Sequence, residues 1–208
     1  MREPPLTLGF EDEPEPDDDA EPNDAGARAR RGKSVASSGG SGAPDARAVS
    51  GPAIGFVVRT DGAARGNPGP ASAGAVLLSL DCPDAHDHRA TPDASISDYL
   101  GVQTNNVAEY TAVVRAIALG LELGARRLDL LLDSKLIVEQ LAGRWRVKDA
   151  KLRPLWADAL KQLRTLPDGW TAAHVPRAQN SLADAMCNEA IDRVMAGGPA
   201  SVTRRPGE

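Results

Sequence analysis

The point at which the apolar residues change their spacing fixes most of what this chain can fold into. Three runs of strand length come first, at residues 54–60, 73–80 and 95–102, separated by Gly, Pro and polar residues. The turn Asn67-Pro68-Gly69-Pro70 joins the first two as a hairpin, and the polar stretch 81–94 reads as a long loop before the third. From residue 107 the period changes. Val107, Tyr110, Val114, Ile117 and Leu121 recur at helical spacing until Gly124, a residue type that commonly ends helices. A buried strand at 127–132 and a helix at 134–142 stopped by Gly143 follow. Then come a helical face of Leu152, Leu155, Trp156, Ala159, Leu160 and Leu163, a strand at 169–175 and a helix at 181–195. Hairpin strands followed by alternating helix and strand predict an α/β fold, a mixed five-stranded sheet with helices on both faces.

Charge divides the chain into parts. Of its 208 residues, 1–50 carry 11 acidic and 6 basic side chains and so account for the whole net charge of −5. The remainder balances, which argues against a broadly basic, nonspecific nucleic-acid binder. Residues 1–51, acidic and proline-bearing and then Ser/Gly-rich, are expected to be a disordered extension. Residues 52–196 are expected to form the folded domain, and 197–208 a flexible tail. Cys82 and Cys187 fit neither a zinc spacing nor a disulfide framework, which points to a reducing compartment. With no signal-peptide or membrane-length apolar run, the expectation is a soluble cytoplasmic protein.

Four acids stand at the edges of these elements. Asp61 ends the first run and opens a glycine-rich turn, and Glu109 follows Asn105 and Asn106. Asp133 closes Leu130-Leu131-Leu132, and Asp184 opens the last helix. Each has a plain structural reading: Asp61-Gly62 as a turn, Asn106 with Glu109 and Ser181 with Asp184 as capping boxes, Asp133 as an N-cap. Those readings treat the acids one at a time. They do not explain why all four fall where a mixed α/β sheet gathers strand ends and helix starts, the usual place for a site. Hard divalent cations take such oxygen ligands.

The surrounding motifs make the combination specific. Thr60-Asp61-Gly62-Ala63-Ala64-Arg65-Gly66-Asn67-Pro68-Gly69-Pro70, Thr104-Asn105-Asn106-Val107-Ala108-Glu109, Asp133-Ser134, and the run from His174-Val175-Pro176-Arg177 to Asp184 occur in the order seen in type 1 ribonuclease H. The chain resembles that family from about residue 54 to 195. The resemblance implies a ribonuclease H-like fold and an endonuclease that hydrolyses the RNA strand of RNA–DNA hybrids, leaving 5′-phosphate and 3′-hydroxyl ends. It implies two Mg²⁺ ions, with Mn²⁺ as a substitute, held by Asp61, Glu109, Asp133 and Asp184. It also implies substrate contacts at Gly62, Asn67, Asn105, Asn106, Ser134 and Lys135, because a 2′-hydroxyl distinguishes RNA from DNA. A monomer is expected. The rival readings are a noncatalytic nucleic-acid-binding module of the same fold, and a same-fold nuclease for double-stranded RNA or single ribonucleotides in DNA.

Two departures from the better-known bacterial pattern shape these expectations. A longer basic insertion found in many relatives is replaced by the short stretch from Arg144 to Lys151, leaving Arg144, Arg146 and Lys148 as phosphate contacts or as a solvated charged loop. Arg177 takes the position of a histidine that assists turnover in many relatives, and arginine cannot shuttle a proton near neutral pH. Both features are similar to an archaeal-like subgroup that also occurs in bacteria, some members of which tolerate double-stranded RNA.

Overall fold

The computed structural model describes residues 54–207, so the extension expected over 1–51 lies outside the described residues. Strands β1 (Gly55–Ala64), β2 (Gly69–Ser79) and β3 (Ala94–Gln103) form an antiparallel meander. Helix α1 (Asn105–Glu122) then crosses to β4 (Arg127–Leu132), which pairs parallel to β1. Helices α2 (Lys135–Leu141) and α3 (Leu152–Leu163) lead to β5 (Trp170–His174), parallel to β4, and α4 (Ser181–Met195) follows. With a last strand β6 (Ser201–Arg204), the sheet order is β5-β4-β1-β2-β3-β6, so β1 lies inside it with β4 on one side and β2 on the other.

The α/β fold and the helices on both faces are as expected, but the strand count is not. A sixth strand, β6 (Ser201–Arg204), pairs antiparallel with β3 in the stretch expected to be a flexible tail. Its sequence has a single apolar residue, Val202, and no alternation long enough to signal a strand. Polar groups fix it instead: Arg193 donates to Pro199 O at 2.8 Å and to Ser97 Oγ at 2.9 Å, and Arg204 pairs with Glu189 at 2.7 Å.

A large core lies under α1 and α3, built from Phe56 and Val58 of β1, Tyr110, Val113 and Ile117 of α1, and Leu128, Leu130 and Leu132 of β4. The face of α1 is wider than its large residues indicate, since Ala108, Ala112 and Ala116 are also buried. Small side chains at this spacing let the helix lie close to the sheet. A smaller core on the opposite face joins Val57, Val76, Leu78 and Ala85, with Leu182 and Met186 of α4 packed against it. Two glycines carry helices unusually near the strands. A Cβ on Gly62 would fall 2.0 Å from Glu109 N, and one on Gly74 would fall 2.3 Å from Ala183 O. Asp61 and Gly74 are cross-strand partners, so both close approaches converge on one end of β1.

Candidate functional site

Asp61 does not end its strand: β1 runs on to Ala64, and the ladder to β2 continues past it. The carboxylate is 7% exposed, inside the sheet edge rather than at a free turn. Glu109 lies in the first turns of α1 and accepts a hydrogen bond from Asn105 Nδ2 at 2.8 Å. Asp133 directly follows β4, and its Oδ1 accepts from Asn180 Nδ2 at 3.0 Å. Asp184 stands in the first turn of α4, held by Asn188 Nδ2 at 3.0 Å and facing Arg177 at 3.8 Å. The capping alternative fails on the same geometry. The N-caps of α1, α2 and α4 are Thr104, Ser134 and Asn180, and none makes a side-chain capping bond.

The electrostatics show that the four carboxylates share one neighbourhood. Asp61 is pushed up to about 7, chiefly by burial and then by the charges of Asp133 and Asp184, with Glu109 adding and Arg177 opposing. Glu109 is likewise raised, first by burial. Hydrogen bonds from Ser134 and Asn105 and the Arg177 charge pull it back, while Asp133 pushes it further up. Arg177 is thus the cation felt by both buried acids, although its own side chain is 82% exposed. Among the described residues, no three His, Cys, Asp or Glu side chains meet closely enough to grip an ion as they stand. Each acid except Asp61 is held by an amide of its own: Glu109 by Asn105, Asp133 by Asn180 and Asp184 by Asn188. A set of oxygen donors with surplus negative charge and one opposing arginine fits hard divalent cations.

The expected substrate contacts divide into two groups. Asn67 and Asn105 meet, with Asn105 N donating to Asn67 Oδ1 at 3.3 Å, and Asn106 follows exposed beside them. Gly62 has a packing task, since the α1 backbone fills the space its side chain would need. Ser134 reaches Glu109, and Lys135 stacks its ammonium 5.8 Å from the Trp145 ring centroid. Arg146 and Lys148 are exposed, whereas Arg144 is engaged in a two-pronged pair with Glu139. Gln140 of α2 tethers this basic connection, its Nε2 donating to Arg146 O at 3.5 Å. Gln140 is itself held by Trp156 Nε1, which donates to Gln140 O at 3.1 Å, and by Tyr110 Oη, which donates to Gln140 Oε1.

Sequence reasoning missed Asn180. It is 1% exposed, and its Nδ2 donates both to Thr60 O at 2.8 Å and to Asp133 Oδ1, joining β1 to β4 at the site. Its own carbonyl accepts from Ala183 N and Asp184 N, each at 3.1 Å, which fixes the start of α4. In the sequence Asn180-Ser181 both residue types are favoured helix caps, so nothing marked Asn180 as a buried clamp. Cys187 was also passed over. It is fully buried with Sγ 3.1 Å from Asp61 O, and burial raises its thiol pKa.

Comparison with known proteins places the chain in a family. The family model described as "Reverse transcriptase-like" matches residues 59–190. The bifunctional protein Rv2228c of Mycobacterium tuberculosis is 40% identical over 139 residues, 65% of this chain and 35% of that protein. This chain therefore spans about a third of the length of those mycobacterial relatives. RNase H1 from the archaeon Halobacterium salinarum superimposes with a TM-score of 0.60 at 40% identity, covering 66% of this chain and 98% of that one. LC11-RNase H1, solved with an RNA/DNA hybrid, gives 0.60 at 33% identity over 67% of this chain and 99% of that one. The fold is ribonuclease H-like. The chain belongs to the type 1 ribonuclease H family.

Proposed function

We propose that this chain is an endoribonuclease that hydrolyses the RNA strand of RNA–DNA hybrids and leaves 5′-phosphate and 3′-hydroxyl ends. The observation that carries the proposal is the placement of Asp133, Asp184 and Glu109 around Asp61, a carboxylate raised to about 7 chiefly by burial and then by those neighbouring charges. Asp61, Glu109, Asp133 and Asp184 are the residues that would hold two Mg²⁺ ions. When bound, such an ion pair generates a nucleophile from water, neutralises the phosphoryl oxygens and stabilises the leaving oxygen, and Mn²⁺ can replace Mg²⁺.

The remaining residues bind and orient the substrate. Asn67, Asn105 and Asn106 present amides and backbone to a sugar 2′-hydroxyl, the group that tells RNA from DNA. Gly62 lets α1 close on β1 and so sets Asn105 and Asn106 beside the site, while Ser134, which reaches Glu109, and Lys135 next to it in sequence complete the contacts. Arg144, Arg146 and Lys148 contact phosphates, with Arg144 first leaving Glu139. Arg177 holds phosphate, since an arginine is no proton shuttle. The partner is an RNA–DNA hybrid, and the protein works as a cytoplasmic monomer. Two free thiols agree with a reducing compartment. Among the described residues no helix is long and apolar enough to cross a membrane.

Substrate and activity are tested together by incubating the purified chain with end-labelled hybrid, double-stranded RNA, single-stranded RNA and a duplex holding one ribonucleotide, each with Mg²⁺ or Mn²⁺. The proposal predicts cleavage of the hybrid's RNA strand above the others. Tight hybrid binding without cleavage would identify a noncatalytic module. Faster cleavage of double-stranded RNA would move the activity to that duplex.

A further inference from the structure

Arg59 is an odd residue to find in β1. It sits in the otherwise apolar run before Asp61 and is 2% exposed. A buried guanidinium is costly unless its donors are used, and here they are used on two backbone carbonyls from distant segments. Arg59 Nη1 donates to Gln179 O at 2.9 Å, and Nη2 donates to His86 O at 3.0 Å. Its Nε has no partner. Gln179 closes the short 3-10 turn Arg177–Gln179, and His86 lies in the loop between β2 and β3. Asp87, next to His86, supplies the charge that offsets the burial.

The two residues gripped from β1 are consecutive. Arg59 holds Gln179 through its side chain, and Thr60 holds Asn180 through its carbonyl at 2.8 Å. Asn180 in turn seats Asp133 and the first turn of α4 that bears Asp184. The other arm reaches a loop whose Ala85 is anchored in the small core beside Val57 and Leu78. A hydrophobic side chain at 59 would fill the space, but it would leave the Gln179 and His86 carbonyls without this donor.

We propose that Arg59 is a positioning residue that couples the β2–β3 loop to the Arg177–Gln179 turn, so that the loop braces the turn from which Asp184 and Arg177 are presented. The link to rate rests on the proposed role of Asp184. The mechanical coupling does not. It treats the turn and the loop as one unit clamped by one side chain, although they are separated by about 90 residues of sequence.

The test uses the full chain with Arg59→Met, which keeps length and removes the donors, and Arg59→Lys, which keeps the charge but has a single head. Hydrogen exchange is followed at the Gln179 and Asn180 amides and across residues 81–93, alongside kcat and KM on hybrid. In Arg59→Met both segments should exchange about tenfold faster while α1, β1 and β2 stay as in the wild type. The kcat should fall about tenfold with KM changed less than about twofold. Arg59→Lys should lie between the two, and it serves alone if the Met variant does not fold. Faster exchange in only one segment, or a uniform rise through the whole domain, overturns the coupling. Because exchange needs no turnover, that outcome stays distinct from a failure of the hydrolase reading. Local loosening with unchanged kcat would overturn the positioning role.

Discussion

The two ends of the acidic site contain the same chemical group under opposite conditions. Asp61 is 7% exposed, fixed inside a paired strand, and pushed up to about 7 by burial and its neighbours. Asp184 has a side chain 43% exposed, stands on a helix start and has its own cation and amide. The inner end is expensive to charge, and its geometry is set by the sheet. The outer end is open to solvent and depends on the turn before α4 for its position. Burial therefore works against the charged form of two carboxylates, Asp61 and Glu109, and of these Asp61 is the one fixed within the sheet ladder.

That contrast can be broken by substitution. Asp61→Asn removes the charge at the fixed end and should lower kcat by at least about 1,000-fold, roughly 4 kcal/mol, while hybrid binding survives. Asp184→Asn should cost less, about 100-fold, because an exposed group is more readily replaced by water. Equal losses at the two positions, measured by single-turnover cleavage, would erase the distinction.

Asn180 lies where the two ends meet. Asn180→Ala removes hydrogen bonds to Thr60 O and Asp133 and should destabilise the protein by about 2 kcal/mol, read by urea unfolding. Its activity should fall with Asp133's loss of orientation, so unchanged kcat at full folding would separate the clamp from the chemistry. The smallest effect is expected at the outermost group. Arg177→Ala should reduce kcat about fivefold, near 1 kcal/mol, with a flat pH dependence of the effect between pH 6 and 9 because arginine does not titrate there. A histidine-like inflection in the wild-type profile traced to position 177 would contradict this.

Much of both ends was legible in the sequence, for different reasons. The element order came from changes of period, and α4 fell on residues 181–195 as expected. The four acids were visible because each sits beside motif residues that capping alone does not require. What the sequence hid were features whose signal lies in a partner far away. Asn180 looks like any helix cap until its amide is seen on Thr60 and Asp133. β6 has too little apolar pattern to announce itself, and it exists because β3 offers an edge and Arg193 holds the crossing chain. Asp61 read as the end of a strand because Gly62 follows it, yet that glycine is there to admit α1. Local grammar gave turn and cap, whereas tertiary contact gave strand and clamp.

The most direct test of the central claim is thermal stability against pH, with and without millimolar Mg²⁺, for the wild type and Asp61→Asn. The folded pKa of Asp61, about 7, lies above its ordinary 3.8, so the native state binds this proton more tightly than the unfolded chain. Its contribution is therefore fully favourable below about pH 4 and is lost as pH rises to about 7, a change on the order of 2 to 4 kcal/mol. Without cation, the wild type should lose stability across that window relative to Asp61→Asn. Mg²⁺ should restore it at pH 8 in the wild type and much less in the variant. Parallel pH curves for the two proteins, with equal Mg²⁺ shifts, would contradict a cation site built around Asp61.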